Sequence, residues 1–110
     1  MRSITAPERA ANGAALLDQH EPGWAVRVSL DTLNIESCTA CVLGQMFGVY
    51  HKGKRDLGLS DEAVVTYGFH PHLFADAARM SDDATELTEA WLDEIRERRF
   101  PGCVPAGGAL

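Results

Sequence analysis

Cys38 and Cys41 stand three residues apart in SCTAC, residues 37–41, and sulfur at that spacing has two chemistries to offer. The first is metal binding. Tetrahedral zinc takes four ligands, commonly as two such pairs; Cys38 and Cys41 supply half of a set, and His70 with His72 or Cys103 would supply the rest. That spacing does not match a common finger, and Pro71 interrupts the two histidines. The second is redox exchange, because a thiolate is the reactive form of cysteine and a helix start favours it. With Ser37 as N-cap, Cys38 would be the first helical residue and Cys41 one turn in, as in a thioredoxin-like pair. Such a pair belongs at the end of a strand in a multi-stranded sheet, which this chain does not supply. A third reading needs no chemistry: unpaired cysteine is among the most buried residue types, and both thiols can serve as small core filler. Packing carries the most weight of the three; zinc or thiol-redox chemistry at Cys38 and Cys41 is the alternative.

Elsewhere the chain is poor in reactive groupings. His20, His51, His70 and His72 have no serine or aspartate at a recognisable triad spacing. The carboxylates from Asp82 to Glu97 fall mostly on the outer face of one helix, which is no place for a glycosidase-like acid and base. No catalytic constellation is evident, so the expectation is a protein that is not an enzyme, with no cofactor beyond the zinc alternative.

Composition narrows the classes further. A chain of 110 residues can bury one ordinary core without staples, and 45% hydrophobic with 24% charged residues is a globular balance rather than a disordered one. A formal charge of −6 opposes non-specific binding to phosphate backbones or anionic lipid. The basic cluster HKGKR, residues 51–55, reads as a solvated corner on a glycine turn. No window approaches the ~20 apolar residues of a membrane span, and the N-terminal residues lack an apolar leader core. The chain is expected in the cytoplasm of a bacterial host, where three cysteines do not make a disulfide framework.

The elements that would position these residues are mainly helical. Thr5 with Glu8 three residues on, and Pro7 inside the first turn, predicts a helix from about Ala6 to Gln19. Its inward side is small: Ala10, Ala11, Ala14 and Ala15, ending in Leu17. Trp24, Val26, Val28 and Leu30 alternate with period two, which predicts a short extended segment or hairpin near residues 24–35, anchored in the core by Trp24. From Ser37 the period becomes helical, with Leu43, Met46, Phe47 and Tyr50 on one stripe and Cys41, Gly44 and Gly48 on a narrow groove that would admit a neighbouring helix. Ser60 caps a short helix that ends at Gly68, and Phe69, Leu73 and Phe74 are core plugs in the loop that follows. Residues 81–99 form the clearest helix, capped by Ser81, with Leu87, Trp91 and Ile95 inward and arginines at its C-terminal end. The expected architecture is therefore a small bundle of about four helices over residues 1–100, with a flexible tail at 101–110.

PGW at 22–24, CTACVLGQMFG at 38–48, LGL at 57–59, YGF at 67–69 and LTEAWLDEIRERR at 87–99 together resemble a group of small uncharacterised proteins of actinobacteria and their bacteriophages and prophages. The likeness covers roughly Glu21 to Arg99. It implies a phage or prophage setting, but no activity and no catalytic residue. Small acidic proteins of that setting act by binding other proteins, so the expectation is a non-enzymatic interaction module with a protein partner or a second copy of itself. Trp24, Val26 and Phe74 are the candidate contact residues, since they are more apolar surface than a small bundle hides.

Overall fold

A computed structural model describes residues 5–71 and 77–100, and every structural statement below concerns those residues. They form six helices: α1 (Ala6–His20), α2 (Trp24–Arg27), α3 (Val42–Phe47), α4 (Tyr50–Asp56), α5 (Asp61–Thr66) and α6 (Ala77–Arg99). There is no strand among the described residues. The chain is mainly helical, as its periodicity predicts, but with more and shorter helices than a four-helix bundle.

The long helices follow their sequence signals closely. Thr5 Oγ1 accepts the Glu8 amide at 3.3 Å while Glu8 Oε1 accepts the Thr5 amide at 2.9 Å, a reciprocal cap that satisfies two otherwise orphaned donors. In α6 the stripe Leu87, Trp91 and Ile95 is fully buried. This helix starts earlier than its sequence indicates, at Ala77, so Ser81 lies inside it rather than capping it. Packing of α1 against α6 is the principal helix contact. Gly13 permits it: a Cβ there would lie 2.1 Å from Tyr67 O and 2.6 Å from Trp91 Cζ2. Of the small residues on α1, Ala10 and Ala14 face the core with Leu17, whereas Ala11 and Ala15 are exposed.

Trp91 is the centre of the core. Its ring stacks on Phe69 at 5.4 Å and meets the edge of Trp24 at 5.6 Å, and its Nε1 donates to Gly68 O at 2.6 Å. Trp24 is thus an anchor, as expected, and not a surface contact residue. The extended segment expected around it is instead one helical turn, begun by Gly23 at φ 86°. Burial at 24, 25 and 28 with exposure at 26 and 27 is a helical pattern. An isolated alternating run has no partner strand to take its amides, and a turn of helix satisfies them locally.

The helix expected to run on from Ser37 is also divided. Ser37 does cap a turn, its Oγ accepting the amides of Thr39 at 3.2 Å and Ala40 at 3.0 Å, but α3 proper begins only after Cys41. It ends at Gly48, which takes φ 99°, a conformation that favours glycine, and α4 then folds back on α3. Gly53, expected in a turn, is buried within α4 with HKGKR around it; a Cβ there would lie 2.7 Å from Phe47 Cδ2. Ser60 caps α5 through the Ala63 amide at 3.1 Å, and α5 closes at Tyr67 and Gly68. No helix among the described residues is long and apolar enough to cross a membrane.

Candidate functional site

Two consecutive capped turns set out the cysteines. Ser37 O accepts the Cys41 amide at 3.2 Å, closing one helical turn over Cys38, Thr39 and Ala40. Cys41 is then the N-cap of α3, its Sγ accepting the Gly44 amide at 3.2 Å. The sequence reading expected Gly44 to admit a neighbouring helix; it admits this turn instead. A Cβ at Gly44 would lie 2.4 Å from Cys38 O and 2.7 Å from the Thr39 backbone. The two cysteines therefore differ. Cys41 is buried, as the packing reading requires, and burial pushes its thiol pKa up; Cys38 is exposed.

Cys38 opens onto a recess of about 270 Å³ between the 35–38 turn, the start of α4, the loop after α5 and Met80 of α6. Its walls include Ile35, Cys38, Tyr50, His51, His70, Pro71 and Met80. Three of the walls, Tyr50, Ile35 and His70, are tied down by named bonds. Tyr50 is held against the cysteine turn because its amide donates to Cys38 O at 2.8 Å. The Ile35 amide reaches Thr88 Oγ1 on α6 at 3.3 Å. His70 is fixed through its backbone: the Arg9 guanidinium, 1% exposed, donates from Nη2 to His70 O at 2.8 Å, from Nε to Val65 O at 2.8 Å, and from Nη1 to Asp83 of α6. Its ring Nδ1 lies 2.8 Å from Pro71 O, and the Tyr50 ring lies 5.7 Å from it and 5.3 Å from the His51 ring. Burial chiefly, with the nearby thiols and Asp61 adding to it, pushes the Tyr50 phenol up to about 12. It stays a neutral donor at physiological pH.

The structure thus brings Cys38 and His70 into one recess, while Cys41 is buried and does not line it. Among the described residues no three histidine, cysteine or acidic side chains converge as a metal set. His72 and Cys103, which a zinc site would draw on, lie outside the described residues, as do Leu73, Phe74 and the tail at 101–110. Val26 is 67% exposed, away from the recess, beside Leu30 and Arg99.

Sequence reading missed Arg9, Tyr50 and Met80 as parts of this site. Arg9 had a signal. It sits on the small inward stripe of α1, between Ala6 and Ala10, where a charge must find buried partners. Tyr50 reads from periodicity as one more core aromatic, and Met80 has no local signal. Comparison with protein-family models, with curated proteins and with solved structures finds nothing that matches the chain.

Proposed function

We propose that the chain is a non-enzymatic protein–protein interaction module whose contact point is the recess between Cys38, Tyr50 and His70. The observation that carries this reading is that the recess is built before anything enters it. The buried Arg9 guanidinium fixes the carbonyl of His70, and the Tyr50 amide is locked to Cys38 O. A partner side chain therefore meets a formed surface and little ordering cost is added on binding. Apolar walls from Ile35, Pro71 and Met80 suit an aliphatic or aromatic side chain, and Tyr50, His51 and His70 offer hydrogen bonds at its edge. The resemblance to actinobacterial phage and prophage proteins supports an accessory role in that setting, acting on a host or phage protein. Of the three contact residues expected from sequence, Val26 is exposed, Trp24 is buried and Phe74 lies outside the described residues.

The test is affinity capture from an actinobacterial host with the wild-type chain, Met80→Glu and Val26→Asp. A partner that Met80→Glu loses by at least about tenfold, while Val26→Asp keeps it, supports the recess as contact point. A strictly monomeric protein that retains no partner, or one whose partner is indifferent to Met80→Glu, overturns the reading.

A further inference from the structure

The two cysteines converge on one residue, Gly44. Cys38 presents its carbonyl to the Cα of Gly44, and Cys41 takes the Gly44 amide on its sulfur. Both belong to a single helical turn closed by the Ser37 carbonyl and the Cys41 amide. Residues three apart on such a turn have Cβ atoms about 5–6 Å apart, and a disulfide needs about 3.5–4.5 Å. A closure of about 0.5–2.5 Å would join them. Cys41 is held in place by its packing in the core and by one weak bond, from an amide to its thiol sulfur. The first thiol is exposed on the recess and the second is buried.

We propose that Cys38 and Cys41 are a dithiol–disulfide couple that accepts oxidising equivalents from low-molecular-weight disulfides at the mouth of the recess. The Cys38 sulfur, its proton lost to solvent, attacks one sulfur of the disulfide; a mixed disulfide forms and one thiolate leaves with the bonding pair and takes up a proton. Cys41 then gives up its proton and attacks the Cys38 sulfur, displacing the second thiolate. The protein loses two hydrogens and two electrons, and one small disulfide becomes two thiols. Sheltering of Cys41 makes the order obligatory, because an oxidant reaches Cys38 first. This inference does not rest on the docking reading, since it concerns the cysteine turn and needs no protein partner.

The experiment uses the full chain carrying Cys103→Ser, incubated with oxidised glutathione, quenched in acid, alkylated and mapped by mass spectrometry. In that background the expected product is the internal disulfide, with two hydrogens lost and no glutathione retained. Cys41→Ser should stop at a glutathione adduct on Cys38, and that adduct should outlive the one on the parent protein by at least about tenfold, since it lacks an intramolecular resolving thiol. If Cys38 and Cys41 of the treated parent are both found reduced, alkylated once the quenched protein is unfolded, or if the parent keeps the adduct as long as Cys41→Ser does, the proposal is wrong. Serine keeps an oxygen acceptor for the Gly44 amide; should the variant still fail to fold, the parent protein alone decides by forming the internal disulfide or not.

Discussion

The Arg9 guanidinium on α1 donates from one nitrogen to both carboxylate oxygens of Asp83 on α6, at 2.9 and 3.1 Å, across 74 residues of sequence. Its other nitrogens serve the carbonyls of Val65 and His70, so one buried side chain joins two long helices and the loop that walls the recess. Removing it takes a charged donor away from Asp83 and from two carbonyls, although Val65 O also accepts the Gly68 amide. Arg9→Met should destabilise the fold by about 3–5 kcal/mol, as when one partner of a buried pair is deleted, a large share of a small domain's stability. Arg9→Lys should recover only part, because an ammonium cannot reproduce the planar fork. Urea unfolding measures both; a loss below about 1 kcal/mol for Arg9→Met would contradict the role given to this residue.

What the sequence made legible follows from the range of the interactions. The Thr5 and Ser60 caps, and the stripe of Leu87, Trp91 and Ile95, rest on neighbours within a few turns, and their spacing is enough to see them. The alternation from Trp24 to Leu30 misled because Trp24, Ala25 and Val28 fit a helical period while Trp24, Val26, Val28 and Leu30 fit period two, and the choice was made by Gly23 and the lack of a partner strand among the described residues. The division of the helix at Gly48 was hidden for a similar reason: glycine was read as a close-packing residue, whereas its positive φ ends α3. The recess was hardest to see, since Cys38, Tyr50, His70 and Met80 come from four segments and are gathered by long-range bonds of Arg9, the Tyr50 amide and the Ile35 amide.

Gly44 offers a test with an opposite sign to intuition. Alanine in place of glycine inside a helix ordinarily gains about 1 kcal/mol. Here the new methyl would meet Cys38 O at 2.4 Å and the Thr39 backbone at 2.7 Å, neither of which can swing aside as a side-chain end would. Gly44→Ala should therefore destabilise by about 1–3 kcal/mol. It should also displace the cysteine turn, raising the rate at which Cys41 is alkylated in the folded protein. A variant as stable as the parent would show that the turn is not pressed on α3.

Asp18 carries the acid-sensitive contact. Arg98 donates to its two oxygens at 3.0 and 2.8 Å, and Trp24 Nε1 donates to Oδ1 at 2.9 Å. Hydrogen bonding to Arg98, chiefly, holds its carboxyl below the usual 3.8 despite some burial that acts the other way. The contribution is thus complete above 3.8, the unfolded value, and disappears as pH falls through the lower value of the folded state. With the Asp18 side chain 48% exposed, solvent screening limits it to about 1 kcal/mol or less. Acid unfolding followed by tryptophan fluorescence should begin at higher pH in added salt, and Asp18→Asn should lose that salt dependence. Superimposable acid profiles for parent and variant would remove this account.

Tyr50 gives the matching test at high pH. Its phenol is pushed up to about 12, first by burial, so the unfolded chain, with a phenol near the ordinary 10, releases that proton earlier. A raised folded-state value means that the stabilisation is fully present below 10 and declines as pH rises from 10 towards 12. The measurement is the difference between the parent and Tyr50→Phe, which isolates this one phenol. The parent should lose on the order of 1–2 kcal/mol more than the variant across that range in urea unfolding. Tyrosinate absorbance should show one late ionisation that the variant lacks. Equal alkaline losses in the two proteins would mean that the phenol is open to water, and that the recess wall between the cysteine turn and α4 is not closed.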